Sequence, residues 1–433
     1  MKTFELSLQL QGFPIQKAKG ELEEILSFSL KEKAVWVEKK RMEMVQFHWE
    51  NNPFYQKHIG AFPKEWNQIP ILTKAHLQQP LEKRLSRGFT LKNCYINKTS
   101  GSSGTPFLFA IDKFSHAMTW ANTMHLFGAH GIDLNHDLQA RFYGIPLDFF
   151  GYQKEKLKDF LANRYRFPVF DLSDVVLEKY LKTFRKKKFV YLNGYTNSIL
   201  VFAHFLQKKQ LVLKEVCPTL KAVFVTSEML FPEDQITMQQ AFGVPVINEY
   251  GASELGIIAM DQPKISLAIN TNTLFVEVVD ENNQAVKAGV EGRVLVTSLY
   301  NHAHPMIRYE IGDIAVLNTE GNGIQQLVGR TNDMAVLPSG KKIPGLTFYY
   351  VTKGIISDRS PVKEFVIFQE KLTLFKIQYV SDFELEEDKI KEIHQLMATY
   401  LEPGLEVVLE RVGYISRSAS GKLKQFTNLV SVL

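Results

Sequence analysis

The chain has 433 residues, 45% hydrophobic and 22% charged, an ordinary globular balance that excludes wholesale disorder. Its net charge of +5 comes from 51 basic and 46 acidic residues, which is too even to indicate a nucleic-acid partner. At this length two or more domains are the default expectation.

The cysteine content and the N-terminus bear on the location of the protein. Cys94 and Cys217 are the only cysteines, which argues against a disulfide scaffold or a cysteine-rich zinc site and favours a reducing, cytoplasmic location. Residues 1–10 lack the apolar core and cleavage site of a signal peptide, and no apolar run is long enough to span a bilayer. We therefore expect neither a nucleic-acid nor a membrane partner.

The first two thirds of the chain mix helical and strand-like patterns. In chain order they predict a helix over 15–49, turns at 52–55 and 70–73, a helix capped by Thr73 through 77, a strand at 189–192, a helix over 198–207 and a strand at 222–226. Short buried strands separated by helices indicate parallel strands with helical crossovers.

From Thr273 onward the pattern changes to antiparallel strands. The predictions are strands at 274–279 and 292–297 joined by a turn at 280–283, then, past a boundary near 329–333, strands at 364–368 and 374–379 and a helix over 386–401. These elements predict an α/β protein in two parts. Residues 1–331 form a large N-terminal domain of mixed sheets and helices with a β-rich subdomain, and residues 332–433 form a small mobile α+β lid.

The most informative segment is the Ser/Gly-rich stretch Thr99–Pro106, TSGSSGTP. Its glycines and small hydroxyl side chains suit either a flexible linker or a loop that grips phosphate oxygens. No Gly-Lys-Ser/Thr follows, so it is not a Walker A loop, and it lacks the Gly-x-Ser-x-Gly of a nucleophile elbow.

Three distant segments favour the phosphate loop: Asn248–Glu254 (NEYGASE), Arg308–Asp313 (RYEIGD) and Arg417–Lys422 (RSASGK). In this order the four segments resemble the adenylate-forming superfamily of acyl-CoA synthetases, luciferases and peptide-synthetase adenylation domains. The phenylacetate–CoA ligase branch with its CapK-like relatives is the nearer likeness, since residues 52–55, 69–74 and 296–309 also resemble it.

The resemblance implies that a carboxylate attacks the α-phosphate of ATP to give an acyl-adenylate and pyrophosphate. Both partners are anionic, so such a site has to neutralise charge and align the groups. By the resemblance, Lys422 and Glu254 are catalytic, and Glu254 also holds Mg²⁺. Nucleotide contacts are implied for Thr99, Ser100, Gly101, Ser102, Ser103, Gly104, Thr105, Ser227, Glu228, Glu249, Tyr250, Gly251, Ala252, Ser253, Asp313 and Arg330.

Taken alone, the main residues of the site have ordinary structural readings. Tyr250, which matches the adenine-stacking position, could be a core tyrosine, and Glu254 could begin a helix. Asp313, which matches the ribose-binding carboxylate, could sit in a β-turn, and Lys422, which matches the lysine that bridges carboxylate and α-phosphate, could lie on an exposed tail.

The second half-reaction and the substrate are less constrained by the sequence. The resemblance favours coenzyme A as acceptor and an aromatic or arylacetic acid as substrate, with Phe142, Tyr143, Phe149, Phe150 and Tyr152 as one interpretation of the acyl pocket. Asn332 replaces the hinge Asp or Lys of relatives, and the loop 339–345 reads equally well as a surface turn.

Two rival functions and a homodimer also stay open: the departures favour the first rival, and the joint presence of Glu254, Asp313 and Lys422 counts against the second. In the first, adenylation is followed by transfer to a carrier-protein thiol or an amine. The second is an inactive nucleotide-binding protein. His302 and His304, which have no cysteine or acidic partner at ligand spacing, are expected on a surface loop rather than at a metal.

Overall fold

The computed structural model describes residues 3–99, 107–144, 149–330, 334–344, 348, 362–417 and 423–430. It comprises two compact units, Met1–Ile311 with Val316–Gln326, and Gly312–Ala315 with Leu327–Leu433. The mixed α/β class expected from the sequence is confirmed, whereas the domain boundary at 331/332 stays a prediction.

The helices of the first unit lie mainly in its N-terminal half and between the strands of its largest sheet. They are α1 (Thr3–Leu10), α2 (Ile15–Ser27), α3 (Leu30–Asn51), α4 (Pro53–Ile59), α5 (Lys113–Gly128), α6 (Phe149–Leu161), α7 (Asp174–Lys186), α8 (Thr196–Lys208), α9 (Leu213–Val216) and α10 (Pro232–Phe242), with 3₁₀ turns at Trp66–Gln68, His76–Gln78 and Leu81–Arg84.

A seven-stranded sheet forms the centre of this unit. Its strands, in spatial order, are β4 (Arg164–Phe167), β3 (Gln139–Phe142), β5 (Tyr191–Tyr195), β6 (Ala222–Thr226), β7 (Val246–Ala252), β8 (Gly256–Gln262) and β9 (Ile265–Ile269). The strands from β4 to β7 are parallel and the last two are antiparallel. The predicted parallel strands with helical crossovers are therefore present.

One face of the central sheet carries the largest apolar core. Phe142, Leu192 and Val223 pack there against α7 and α8. Gly194 is required on this face, because a Cβ atom at that position would lie 2.5 Å from the carbonyl oxygen of Phe142. The opposite face is covered in part by α5, through Phe127 against Phe224.

Smaller sheets complete the described structure. They are the hairpin β1 (Cys94–Lys98) with β2 (Leu108–Asp112), a four-stranded sheet of β10 (Leu274–Val279), β11 (Glu291–Ser298), β12 (Tyr309–Leu317) and β13 (Ile324–Arg330), the hairpin β14 (Met334–Val336) with β15 (Lys342–Pro344), and a sheet ordered β18 (Glu406–Arg411), β17 (Leu374–Ser381), β16 (Val362–Gln369), β19 (Phe426–Asn428). Helix α11 (Glu387–Tyr400) packs against the last of these through Ile393 and Met397. No described helix combines the length and the apolarity needed to cross a bilayer.

Of two local predictions near the N-terminus, one was confirmed and one was wrong. The helical pattern expected over 15–49 is present as two helices, since Ser29 caps α3 and forms a reciprocal capping box with Glu32. The turn expected at 52–55 is the start of α4, where the Asn52 side chain accepts a hydrogen bond from the Tyr55 amide and Pro53 takes the first helical position.

Candidate active site

The ends of the Ser/Gly-rich loop are held together by a hairpin. The Thr99 amide donates to the carbonyl of Phe107 at 3.0 Å, and the Phe107 amide donates to the Thr99 hydroxyl at 3.1 Å. Thr99 follows β1 and Phe107 precedes β2, so the loop connects two paired strands. This position argues against a free linker. Ser100, Gly101, Ser102, Ser103, Gly104 and Thr105 lie outside the described residues.

Glu254 lies in the turn between β7 and β8, and not at the start of a helix. Its carboxylate is buried, with 7% of the residue exposed, and accepts a hydrogen bond from the Tyr309 hydroxyl at 3.1 Å. The backbone of this turn is tight, because a Cβ atom on Gly251 would lie 2.6 Å from the carbonyl oxygen of Gly256. A specific backbone path therefore presents Glu254.

The other residues of this motif follow the strand into the same turn. Glu249, Tyr250, Gly251 and Ala252 occupy the end of β7, and Ser253 begins the turn. Tyr250 is partly buried, so it is not a fully enclosed core tyrosine. Its predicted contact with adenine remains a prediction.

Tyr309 joins three of the four sequence motifs within the first unit. It belongs to the RYEIGD segment, and its hydroxyl contacts Glu254 of the NEYGASE segment. Its ring also lies edge-on to the ring of Phe107, with centroids 6.3 Å apart, beside the end of the Ser/Gly-rich loop. Residues separated by about 200 positions in the sequence thus meet at one place.

The end of β6 contributes a strained residue. Ser227 follows the strand, is exposed, and has a backbone φ of 73°, a left-handed conformation that disfavours side chains. Ser227 thus adopts a backbone geometry for which glycine is better suited. Next to it, the Glu228 carboxylate accepts a hydrogen bond from the Asn197 amide at 2.8 Å, at the start of α8. Glu228 thus stabilises a helix N-terminus, and its nucleotide contact stays a prediction.

Glu249 lies in a polar row at the carboxyl ends of the parallel strands. Its carboxylate accepts a hydrogen bond from the Thr226 hydroxyl at 3.1 Å. Burial raises the pKa of the Glu249 carboxyl, while the Thr226 hydroxyl and the positive charge of Arg141 lower it. The carboxyl edge of a parallel sheet is the usual position for a ligand in such folds.

Asp313 and Arg330 lie on neighbouring strands of the four-stranded sheet. Asp313 is buried on β12, so the alternative of an exposed β-turn aspartate is excluded. Arg330 is the last residue of β13, and the position of its side chain is not described. The ribose contacts predicted for both residues stay predictions.

The segment leading to Lys422 is anchored in the second unit. Arg417 forms an ion pair with Glu364 on β16. Ile415 and Leu423, which flank the segment, both pack in a small apolar cluster with Val366. Lys422 itself lies outside the described residues, so its catalytic role is untested.

Other predictions near the site have mixed outcomes. Phe142 faces the large core, with its ring 5.0 Å from that of Phe167, so it was wrongly placed in the acyl pocket. The side chains of Phe149, Phe150 and Tyr152 are not described. His304 is fully buried and bonded to Arg84, and therefore is not on a surface loop.

Predictions were also made for a hinge at Asn332 and for the loop 339–345. Asn332 lies outside the described residues. Ser339 and Gly340 form the turn of the β14–β15 hairpin, with Gly340 at φ 82° and Ser339 bonded to Glu402. The surface-turn interpretation of that loop fits this geometry.

No role was predicted for Tyr309, Arg141 or Asn193, which lie on β12, β3 and β5. Tyr309 stood inside a quoted motif without a role. Arg141 and Asn193 carry a detectable signal, because polar residues recur at alternate positions, Gln139–Arg141–Tyr143 and Tyr191–Asn193–Tyr195, in strands otherwise apolar.

The donor set suits a nucleotide-bound divalent cation better than a metal held by protein alone. Within the described ranges, no group of three or more His, Cys, Asp or Glu side chains gathers to hold a metal. Mg²⁺ typically uses one or two carboxylates together with substrate phosphates, a pattern that the buried carboxylate of Glu254 fits.

Comparison with known proteins supports the interpretation of these motifs. No protein-family profile matches the chain. Protein CapK from Staphylococcus aureus is 24% identical over 286 residues, 62% of this chain and 59% of CapK. Indoleacetate–lysine synthetase from Pseudomonas savastanoi is 23% identical over 274 residues, 62% of this chain and 64% of that protein. Each match thus spans less than two thirds of the relative's length.

Solved structures give a wider match. A 2-hydroxyisobutyryl-CoA ligase in its postadenylation state superposes with a TM-score of 0.70 at 18% identity, covering 93% of this chain and 90% of the ligase. A likeness at this identity establishes the fold, and it agrees with the four motifs found in the sequence. This chain has the fold of the adenylate-forming enzymes.

Proposed function

We propose that this protein uses Mg-ATP to activate a small carboxylic acid as an acyl-adenylate, and then transfers the acyl group to the thiol of coenzyme A. The observation that carries the proposal is the contact chain through Tyr309. It brings the end of the Ser/Gly-rich loop and the Glu254 carboxylate together on the fold of adenylate-forming enzymes.

The chemistry of these residues suits the first half-reaction. The loop Thr99–Thr105 would offer hydroxyl and amide donors to the β- and γ-phosphates, and the hydrogen bonds between Thr99 and Phe107 fix where it begins and ends. Glu254 would hold Mg²⁺, which when bound neutralises phosphate charge. The Tyr309 hydroxyl orients that carboxylate.

The remaining roles follow the resemblance. Tyr250 would stack on adenine, and the Asp313 carboxylate would accept hydrogen bonds from both ribose hydroxyls. Lys422 would place a positive charge between the carboxylate and the α-phosphate while negative charge builds there. An aromatic or arylacetic acid, as in a phenylacetate–CoA ligase, a cytoplasmic location and a homodimer belong to the same proposal.

A second candidate function ends in an amide. One curated relative is named an indoleacetate–lysine synthetase, so the amine of an amino acid is a rival acceptor, beside a carrier-protein thiol. All three acceptors share the adenylation step.

Product analysis separates the acceptors. The protein would be incubated with Mg-ATP and a panel of acids, with coenzyme A, lysine or hydroxylamine added in separate reactions. The products would be identified by mass spectrometry. An acyl-CoA supports the main proposal and an acyl-lysine supports the amide. An acyl-hydroxamate alone shows adenylation with another natural acceptor. ATP binding by the wild type with no product in any reaction would favour an inactive nucleotide-binding protein. If products form, their loss in Glu254→Gln would tie them to this site.

A further inference from the structure

The two faces of the parallel sheet differ in polarity near its carboxyl edge. The strand register aligns Arg141 with Asn193 in one row, and Tyr195, Thr226 and Glu249 in the next row toward the edge. Arg141, Asn193, Thr226 and Glu249 alternate along their strands with residues of the large apolar core, whereas Tyr195, at the end of β5, belongs to that core. The face opposite the large core therefore carries polar groups near its carboxyl edge, beside the apolar Phe224 and Ile247.

Arg141 is the least satisfied member of this set. Its guanidinium stacks on the Tyr143 ring at 3.9 Å, and within the described part of the chain it makes no hydrogen bond or ion pair. Its Nε atom is buried without a partner. A buried guanidinium donor left unpaired is costly, so such a group indicates a partner that is bound during function.

The carboxylates of Asp159 and Glu155 do not pair with Arg141. Arg166 engages both, with its Nε 2.7 Å from Asp159 and its terminal nitrogen 2.8 Å from Glu155. Burial, followed by the positive charge of Arg141, lowers the pKa of Arg164 to about 10. The surroundings of Arg141 are thus positively charged on one side.

A second unsatisfied group lies in the adjacent row. Gln139 is 5% exposed, and its Oε1 atom has no hydrogen-bond partner. Its Nε2 donates to Asn193 at 3.4 Å, and Asn193 also accepts from the Tyr143 hydroxyl at 3.2 Å. The tyrosine that stacks on Arg141 is therefore held in place.

The negative group of the site lies at the opposite end of the same edge. Arg141 is on β3 and Glu249 on β7, three strands away, which corresponds to about 14 Å at the usual strand spacing. The two residues form no ion pair with each other. A small molecule with its reacting carboxyl near β7 would need a tail that spans this distance to reach Arg141.

We propose that the acid activated by this protein carries a second anionic group, a carboxylate remote from the reacting one, and that Arg141 binds it. This inference rests on the proposed function. A purely hydrocarbon tail would leave the buried Nε of Arg141 unpaired, whereas a carboxylate accepts a bidentate pair of guanidinium N–H donors. The Tyr143 ring, which stacks on Arg141, packs in turn against the ring of Tyr195, with centroids 4.6 Å apart.

Matched pairs of acids test the proposal. Pyrophosphate release would be measured for glutarate, adipate, suberate and 4-carboxyphenylacetate, each beside its monoacid pentanoate, hexanoate, octanoate or phenylacetate. We expect at least one diacid to exceed its monoacid in kcat/KM by about 10- to 100-fold, the usual effect of a hydrogen bond to a charged group. Arg141→Gln should abolish the preference, Arg141→Lys should keep part of it because it retains charge without the planar fork, and the exposed Arg185→Gln should match the wild type.

Binding provides an independent readout. Calorimetric titration of the same diacids into the protein, with thermal melts of each variant, separates the two proposals. Diacid binding that is lost in Arg141→Gln, without any turnover, would support the inference and count against the ligase activity. Equal use and binding of diacids and monoacids, or a diacid preference that survives in a folded Arg141→Gln, would overturn the assignment while leaving adenylation intact.

Discussion

Gly251→Ala is the sharpest probe of the turn that presents Glu254, because the added methyl group has no space. Its Cβ would lie 2.6 Å from the Gly256 carbonyl oxygen and 3.3 Å from the Cα atom of Ile257. Both atoms belong to the backbone of β8, which pairs with Gly251. They cannot rotate away, so the strands must separate by several tenths of an ångström.

The expected cost follows from that overlap. Forcing a methyl group into a packed site costs about 1–3 kcal/mol, so the urea midpoint of unfolding should fall. Displacement of the turn would also move Glu254, and misplacing a reacting group by about 1 Å can cost about 100-fold in rate. We therefore expect Gly251→Ala to lower both stability and acid-dependent pyrophosphate release.

Gly20→Ala is the matched control. Gly20 lies inside α2, and a Cβ atom there meets nothing within 4 Å. Alanine should stabilise the helix by about 0.5–1 kcal/mol and leave turnover unchanged. If Gly251→Ala matched the wild type in urea midpoint and in turnover, the close approach of β7 and β8 would be refuted as the constraint on this turn.

Three further predictions concern single side chains. Tyr309→Phe removes the hydroxyl that donates a hydrogen bond to Glu254. We expect kcat/KM for Mg-ATP to fall by about 10- to 100-fold with little change in fold. Unchanged kinetics would show that Tyr309 does not belong to the site. Ser227→Gly relieves a φ of 73° and should raise the free energy of unfolding by about 1 kcal/mol in urea titrations, whereas a loss of stability would show that the serine is not strained. Burial lowers the pKa of His116 to about 4. As the pH falls, the unfolded chain therefore binds a proton at this histidine near pH 6.5, whereas the folded chain binds it only near pH 4. The contribution of His116 to the free energy of unfolding therefore falls as pH is lowered through this window, by up to about 1.4 kcal/mol per pH unit, and the stability of His116→Gln, measured from pH 7 to 4, should fall less steeply; identical slopes would contradict the burial of a neutral ring.

Local patterns predicted much of the fold. The strand at 222–226 is found with the predicted limits, and the helix expected over 386–401 lies at Glu387–Tyr400. Both are bounded by clear changes in hydrophobic period. The break between α2 and α3 was missed although its signal was present, because Ser29 followed by Glu32 is a capping box inside an otherwise continuous helical pattern.

The site was only partly predictable, for a physical reason. The resemblance carried by its motifs singled out Glu254 and the Ser/Gly-rich loop, and their roles stay predictions. The roles of Arg141 and Phe142 depend on which face of a strand each residue occupies. Alternation alone assigns two faces without saying which one meets the core, so Phe142 was placed in the pocket and Arg141 was overlooked. The approach of Phe107, Glu254 and Tyr309 likewise depends on strand order, which no short segment encodes.

The most direct test of the account is acid-dependent exchange of labelled pyrophosphate into ATP, measured for the wild type and Lys422→Ala over the panel of monoacids and diacids. Exchange that requires a particular acid and falls by several orders of magnitude in the variant is the predicted result. ATP binding without exchange for any acid, or exchange that is unaffected by Lys422→Ala, would contradict adenylation by this site.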